Sequence, residues 1–383
     1  MKKLTLALFF TRGVSLHQWV AQGLFTREKA LYERLLAEGE ATKIIFITYG
    51  PDDSRLAKEL KSAGALSVGI DVISLPCWLD CKLGKFLWSF VSPFFMRKQF
   101  SSVDVVKTNQ MDGAWAAVLS SWLYRKPLYA RTGYSWSLFE TGTGFVGRAR
   151  RRIAALCERF VYRNCTVAAV SSEHDRVFFL HKYPFLASRL YSLPNYIDCS
   201  LFNNESNVER RDRVIFVGRL NPQKNLLEAI KAICKSGVGL DIVGSGELEG
   251  ELRAFVNKRS ADVTFIGNTS NCDMPFLLRQ YRYFLLPSLY EGMPKALLEA
   301  MACGCICIGT NVQGINEVLI DGENGILADG VNADAISDAL SRAQLAADSM
   351  GAAASEYIRH KYSLNSVVRR DCSILRSIAT LHE

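Results

Sequence analysis

The sequence predicts an α/β protein built from two doubly wound, Rossmann-like domains facing across a cleft, and three observations carry that prediction. Short apolar runs alternate with amphipathic helical patterns along the whole chain, which is the rhythm of parallel strand and crossover helix. The alternation occurs twice, with a polar, charged stretch from Asn203 to Arg213 between the two series that reads as a linker. The chain of 383 residues also exceeds what one core usually holds, at roughly 150 residues per domain. The expected organisation is a first domain over 1–202, a linker over 203–213, a second domain over 214–363 and a terminal segment over 364–383.

The elements follow in order. Leu4-Thr-Leu-Ala-Leu-Phe-Phe10 reads as the first strand. Lys2 and Lys3 before it imitate a secretory signal, but Thr11 and Arg12 end the apolar run and no small-residue cleavage site follows. Val20 to Gly39 places Leu24, Ala30, Leu31, Leu35 and Leu36 on one helical face, with Gly39 as the stop. Further strands are expected at Lys43–Tyr49, Asp71–Leu75, Asp104–Thr108, Pro127–Thr132 and Thr166–Ser171. The second half is more cleanly punctuated. Its strands are expected at Val214–Val217, Leu240–Val243, Val263–Ile266, Tyr283–Leu286, Cys305–Ile308 and Gly325–Ala328, and its helices at Asn225–Ser236, Leu248–Lys258, Pro275–Gln280, Lys295–Ala302 and Ala333–Ala346.

With 49 % apolar and 22 % charged residues the chain is globular. Its net charge of +8 is unevenly spread: residues 1–205 carry +10 and residues 206–383 carry −2, so the first half should meet something anionic. Eleven cysteines without a Cys-x2-Cys pair or a disulfide spacing point to a reducing, cytoplasmic compartment. Cys305 and Cys307 belong to an apolar run, and a buried strand explains them better than zinc does. Cys77 and Cys81 have no nearby His to complete a metal site. The most apolar later stretch, Phe86 to Phe95, falls short of the roughly 20 residues a bilayer requires.

The chemistry concentrates in Tyr290-Glu-Gly-Met-Pro-Lys-Ala-Leu-Leu-Glu299. The run Tyr283-Phe-Leu-Leu-Pro-Ser288 before it is a strand opening into a loop, so Glu291 sits at a strand's carboxyl end. Gly292 permits close backbone approach, Met293 follows, Pro294 suits the first helical position, and Lys295 and Ala296 open a run of strong helix formers. A helix start of this kind is a ready site for a diphosphate, because its first amides are unpaired and its dipole is positive there. Glu291 would repel that diphosphate and should address a neutral, hydroxyl-rich part of the ligand, while Glu299 is placed to accept from a ribose diol.

Gly218-Arg-Leu-Asn-Pro-Gln-Lys-Asn225 joins the first strand of the second half to a helix. Arg219 and Lys224 thus project from the carboxyl edge of the sheet, where open α/β folds bind ligands and where two cations would stabilise a departing diphosphate. Loop cations are ordinarily solvated surface charge, and the coincidence with the helix mouth on the same edge favours the functional reading. Gly244-Ser-Gly246 and the Ile266-Gly267-Asn-Thr turn offer backbone to a nucleotide base. In the first half, Gly13 within Thr11-Arg-Gly-Val-Ser15 would let backbone approach a phosphate.

Two other patterns carry less. Gly142-Thr-Gly-Phe-Val-Gly147 fits a dinucleotide fingerprint but follows no strand and opens no first βαβ unit. Arg148-Ala-Arg-Arg-Arg152 is a basic patch that reads as a solvated face or as a contact for anionic lipid. Lys82 to Phe100 interleaves Lys82, Lys85, Arg97 and Lys98 with Phe86, Leu87, Trp88, Phe90, Phe94 and Phe95, a pattern equally suited to a membrane interface and to core packing.

The second half resembles the retaining glycosyltransferases of family 4. The resemblance rests on Leu193-Pro-Asn-Tyr-Ile-Asp198, Gly218-Arg-Leu220, Lys224-Asn225, Ile242-Val-Gly-Ser-Gly-Glu247, Phe265-Ile-Gly267, Pro287-Ser288, Glu291-Gly292 through Glu299-Ala300, Ala302-Cys-Gly304 and Asn324-Gly-Ile-Leu327. It implies the GT-B fold and a UDP- or GDP-linked sugar donor, with Arg219 and Lys224 on the donor diphosphate, Glu299 on the ribose, Glu291 on the transferred sugar and Gly13 approaching phosphate from the acceptor domain. It also implies that the last segment returns to the first domain as a helix. Many family members carry a mid-domain His where this chain has Tyr129-Ala-Arg-Thr-Gly-Tyr134, so Arg131 and Tyr134 are the candidates to line the acceptor side.

The expected function is transfer of a hexose or N-acetylhexosamine to a saccharide or lipid-linked saccharide with retained configuration, as in cell-surface polysaccharide or lipopolysaccharide synthesis. No cofactor, metal or nucleic acid is expected, since fixed cations and helix amides would replace a metal and no paired Asp-x-Asp occurs. The work would be done in the cytoplasm, with peripheral contact to anionic membrane. The competing readings are a nucleotide-sugar epimerase or sugar-phosphate synthase on the same fold, and a non-catalytic protein that binds anionic membrane.

Overall fold

The computed structural model describes residues 4–133, 144–205 and 209–380. The chain forms two compact units, one comprising Met1–Pro194 with Val368–Glu383 and the other Asn195–Val367.

In the first unit the strands are β1 (Leu4–Phe9), β2 (Ala41–Ile47), β3 (Ile70–Ile73), β4 (Val105–Thr108), β5 (Leu128–Thr132), β6 (Val167–Val170) and β7 (Leu190–Ser192). They pair in parallel in the order β3-β2-β1-β4-β5-β6-β7. The order reverses between β1 and β4, which makes their carboxyl ends the topological switch point of this sheet. β1 is buried along its whole length, as expected of a parallel strand covered by helices on both faces. The single helix expected from Val20 to Gly39 is two helices, Leu16–Ala21 and Phe25–Ala37. Gly23 has a φ of 68° between them, a left-handed conformation that a continuous α-helix cannot contain. Ser15 caps the first in a capping box with Gln18.

The last helix, Leu364–Thr380, buries Val367, Val368, Asp371, Cys372, Leu375 and Ile378 along one face, and from Val368 onward it belongs to the first unit. Its Asp371 meets two fully buried partners from the sheet. Lys107 Nζ of β4 lies 2.5 Å from Asp371 Oδ2, and the Tyr129 hydroxyl of β5 donates to Oδ1 at 2.9 Å. Burial pulls the Lys107 ammonium below its ordinary pKa, against the opposing pull of Asp371.

The second unit contains β8 (Arg211–Val217), β9 (Leu240–Val243), β10 (Val263–Gly267), β11 (Tyr281–Leu286), β12 (Ile306–Thr310) and β13 (Ile326–Ala328). Its parallel order is β10-β9-β8-β11-β12-β13, with the switch point between β8 and β11. The unit begins ahead of the polar stretch because Ile197 bridges to Ser363 and, with Phe202, packs into this core. β8 likewise starts three residues upstream of Val214, at Arg211, whose amide bonds Gln280. Cys303, Cys305 and Cys307 are buried free thiols; Cys307 lies in β12 and Cys305 just ahead of it, where its Sγ donates to the Leu278 carbonyl at 3.4 Å. Burial pushes the Cys305 thiol up to about 11.

Candidate functional site at the carboxyl edge of the second sheet

The site begins with backbone geometry at the ends of β8 and β9. Gly244 has a φ of 128°, and a Cβ there would lie 1.9 Å from the Gly218 carbonyl oxygen. A Cβ on Gly246 would lie 2.3 Å from the Leu220 carbonyl oxygen. The two loops therefore touch through backbone, which explains glycine at both positions. The Gly244 amide bonds the Gly267 carbonyl at 2.8 Å, bringing the end of β10 and the exposed Ile266 alongside.

After β8, Pro222–Lys224 forms a 3-10 turn and Asn225 adopts φ 53° before the helix Leu226–Ser236. Asn225 Nδ2 donates to the carbonyls of Pro287 at 3.1 Å and Val331 at 2.7 Å, so the loop carrying Lys224 is tied to the loop after β11. That tie presents Lys224 to Glu291. The ammonium pairs with Glu291 Oε1, which also accepts from the fully buried Ser288 hydroxyl at 2.6 Å. Gln223 Nε2 reaches Glu291 Oε2 at 3.4 Å and donates to the Tyr290 carbonyl at 2.8 Å. Thr310 Oγ1 donates to the Ser288 carbonyl at 2.5 Å, and the Glu291 amide bonds Gln313 at 3.2 Å. Glu291, only 7 % exposed, is thus oriented from three sides.

Gly292 and Met293 follow, held from behind. A Cβ on Gly314 would lie 2.3 Å from the Gly292 carbonyl oxygen, and Asn195 Nδ2 donates to the Met293 carbonyl at 3.3 Å. Pro294 is the N-cap of the helix Lys295–Ala302 and not its first residue, because its ψ of 100° is extended. It has no side-chain group with which to cap the helix, and no acidic residue stands in the first turn. The helix mouth at Lys295 and Ala296 keeps its positive end unneutralised by either device. Glu299 lies in the second turn of this helix and is 7 % exposed. Arg219 is exposed, and its guanidinium makes no hydrogen bond or ion pair among the described residues.

The second unit therefore assembles Arg219, Lys224, Gly244, Ile266, Glu291, Gly292, Met293, Pro294, Lys295, Ala296 and Glu299 on one sheet edge around the switch point. Gly13 and Arg131 belong to the first unit. Gly13, at φ 80°, follows β1 and has open space where a Cβ would stand. Arg131 is in β5, with a buried Nε that has no partner among the described residues, and its amide bonds Thr108 Oγ1 at 3.0 Å. Tyr134 lies outside the described residues.

Sequence reasoning missed three features. It placed Lys224 on the ligand alone, whereas Lys224 also pairs with Glu291 across the switch point. It passed over Gln223 and the hydroxyl of Ser288, which orient the same carboxylate. It also passed over the switch point of the first unit, where Arg12 after β1 pairs with Asp112 after β4 at 2.9 and 3.2 Å. That hydrogen bond raises the Arg12 pKa further above its ordinary value. The available signal was a polar or charged residue in the loop after a predicted strand end in each case.

Residues 200–360 match the family described as glycosyl transferases group 1. A glycosyltransferase of Methanocaldococcus jannaschii is 33 % identical over 119 residues, 31 % of this chain and 34 % of its own length. The UDP-Gal:alpha-D-GlcNAc-diphosphoundecaprenol alpha-1,3-galactosyltransferase of Escherichia coli is 36 % identical over 143 residues, 35 % of this chain and 37 % of its own length. The chain thus spans little more than a third of these two relatives. Among solved structures, the sucrose-phosphate synthase of Thermosynechococcus elongatus aligns over 99 % of this chain and 100 % of its own, with a TM-score of 0.75 at 18 % identity. The similarity to the glycosyl transferases group 1 is thus carried by residues 200–360, on a two-domain α/β fold of the GT-B type.

Proposed function

We propose that this protein is a retaining, metal-independent glycosyltransferase that moves a hexose or N-acetylhexosamine from a UDP- or GDP-sugar to a saccharide or lipid-linked saccharide in cell-surface polysaccharide or lipopolysaccharide synthesis. The observation that carries the reading is the Lys224–Glu291 pair at the switch point, beside an uncapped helix mouth and the unengaged Arg219. Similarity to the Escherichia coli galactosyltransferase supports a UDP donor and a lipid-diphosphate acceptor.

The residues divide the donor between them. An ammonium has three donors and Glu291 takes one, so Lys224 keeps two for phosphate oxygens. Arg219 and the amides at Lys295 and Ala296 supply the remaining positive potential where charge develops on the departing diphosphate. Gly244 and Ile266 border the base, and Glu299 accepts from the ribose. Glu291, held by Lys224, Ser288 and Gln223, uses its remaining lone pairs to accept from hydroxyls of the transferred sugar. The bond from the anomeric carbon to the donor phosphate oxygen breaks as the acceptor oxygen adds on the same face, and the acceptor's proton passes to the departing phosphate. No fixed base is needed in that step, and the cations take the place of a metal. Gly13 is assigned to the donor phosphate, Arg131 and Tyr134 are assigned to the acceptor side, and the protein is assigned to the cytoplasmic face of the membrane. No helix among the described residues is long and apolar enough to cross a membrane.

The test is incubation with a panel of UDP- and GDP-sugars and a lipid-diphosphate saccharide in the presence of EDTA, with the product's anomeric configuration read by NMR. An α-linked product from an α-linked donor is expected. An inverted product, or no stabilisation by any nucleotide in a thermal-shift panel, overturns the reading.

A further inference from the structure

In the first unit, the helices Lys82–Phe95 and Gly144–Asn164 both pack on the helix Trp115–Tyr124. The three leave a groove of about 710 Å³, within the range of a ligand site and lined by Phe86, Phe90, Trp115, Ile153, Cys157 and Phe160. Its aromatic wall is ordered. Phe90 stacks on Trp115 at 5.7 Å, Phe86 meets Phe90 edge-on at 5.2 Å, and Trp115 Nε1 donates to the buried Ser89 hydroxyl at 2.9 Å.

The groove is not purely apolar. Arg12 and Asp112 line it where the switch point of this sheet lies, and the Arg12 guanidinium sits 5.6 Å from the Phe86 ring and 5.7 Å from the Trp115 ring. Arg150 also lines it. The same helix exposes Arg148, Arg151, Arg152, Arg159 and Arg163, and its one acidic residue, Glu158, is fully buried. Outside the groove the helices expose Leu83, Phe94, Phe95, Phe145, Val146 and Leu156, so an apolar ligand leaving the groove continues over apolar surface. The interleaved segment from Lys82 to Phe100 is thereby divided. Trp88, Met96 and Phe100 enter the core, while Phe86, Leu87, Phe90, Phe94 and Phe95 remain exposed.

We propose that this groove seats the hydrocarbon chain of a polyprenyl diphosphate, the carrier end of a lipid-linked acceptor, with its diphosphate between Arg150 and Arg12. Two properties select this occupant over a peptide or a bare bilayer: an aromatic slot for an extended apolar chain, and a cationic end at the switch point for an anionic head. The assignment rests on the glycosyltransferase reading only for calling the ligand an acceptor, and the binding itself is measured without donor.

The test uses the full chain with farnesyl diphosphate as probe, against inorganic diphosphate and farnesol, read by calorimetry and tryptophan fluorescence. Farnesyl diphosphate should bind at least about tenfold more tightly than either half, since buried chain and paired head then act together. Ile153→Asp and Phe86→Ser, both at partly exposed positions, should each weaken it about tenfold, and Ile153→Leu should not. Arg150→Glu should weaken farnesyl diphosphate and leave farnesol unchanged. An unaltered melting temperature and UDP thermal shift verify the fold in each variant. Equal affinity for farnesyl diphosphate and inorganic diphosphate overturns the proposal. So does loss of binding to phosphatidylglycerol vesicles in Ile153→Asp with farnesyl diphosphate affinity intact, which makes the face a membrane contact. If no sugar transfer occurs while farnesyl diphosphate binds as expected, the function reading fails and the groove assignment stands.

Discussion

Lys224 and Glu291, 67 residues apart, form an ion pair that closes the switch point of the second sheet, one residue from the loop after β8 and the other from the loop after β11. Both side chains are largely buried, so each is the other's principal compensation for lost hydration. A donor bound as proposed would meet a pair already assembled, which lowers the cost of organising the site when a ligand arrives.

Substitution of either partner should lower turnover by about 10²-fold to 10³-fold if the pair acts where charge develops. Stability should respond differently. Lys224→Met alone leaves the Glu291 carboxylate short of a partner and should cost about 1–3 kcal/mol, whereas Lys224→Met with Glu291→Gln should cost less than the sum of the two single changes. Urea unfolding of the four proteins in the cycle measures this, and strict additivity would show that the pair is not coupled.

Arg219 gives the opposite combination. It is exposed and unengaged among the described residues, so Arg219→Ala should change unfolding free energy by no more than about 0.5 kcal/mol. Its turnover should still fall by about tenfold or more, because a cation aimed at developing phosphate charge is lost. Full activity in this variant removes Arg219 from the donor site.

The terminal helix depends on Asp371. Asp371→Ala leaves the fully buried Lys107 ammonium without its carboxylate and should cost about 3–5 kcal/mol. Lys107→Met combined with Asp371→Leu should recover most of that loss, since it removes both charges from the interior. Hydrogen exchange over 368–380, together with thermal unfolding, reads the outcome. A double variant as unstable as the single one would place the cost elsewhere than the charge.

Glu228 supplies a pH-dependent contribution near the Lys224 loop. The hydrogen bond from Lys231 holds its carboxyl below the ordinary value of 4.5, as does the bond from the Ala333 amide, which joins two helices. A carboxyl whose folded pKa is depressed adds stability that is complete above its unfolded pKa and lost as pH falls through the folded one. Glu228→Gln should thus cost about 0.5–1 kcal/mol at pH 7, a modest figure because the group is partly exposed. The difference from the parent protein should shrink steadily as pH is taken below 4.5. A difference that stays constant down to acid pH would assign the effect to packing.

The legible elements were those with strong local punctuation. Leu240–Val243 and Lys295–Ala302 fall where the sequence places them, because Gly244 ends the one and Pro294 and Gly304 bracket the other. β7 went unread because three residues, Leu190 to Ser192, carry too little pattern to separate a strand from a loop. The helix Ser349–Lys361 went unread for a related reason, since Gly351 and a run of alanines blur its apolar face. The break at Gly23 was hidden because the leucine spacing on either side continues in one helical register.

At the site, the sequence alone determined which residues stand at strand ends and helix mouths: Arg219, Lys224, Glu291, Pro294 and Glu299 follow from the order of apolar runs and glycines, which is local information. It equally determined that two α/β series are present. Only the tertiary structure decided which of those residues meet. Pairing Lys224 with Glu291, Arg12 with Asp112 and Lys107 with Asp371 requires strand order, and strand order is set by how crossover helices pack on each sheet, between residues far apart in the chain. Burial of these charges makes each meeting consequential, because a charge removed from water must find its partner in the fold.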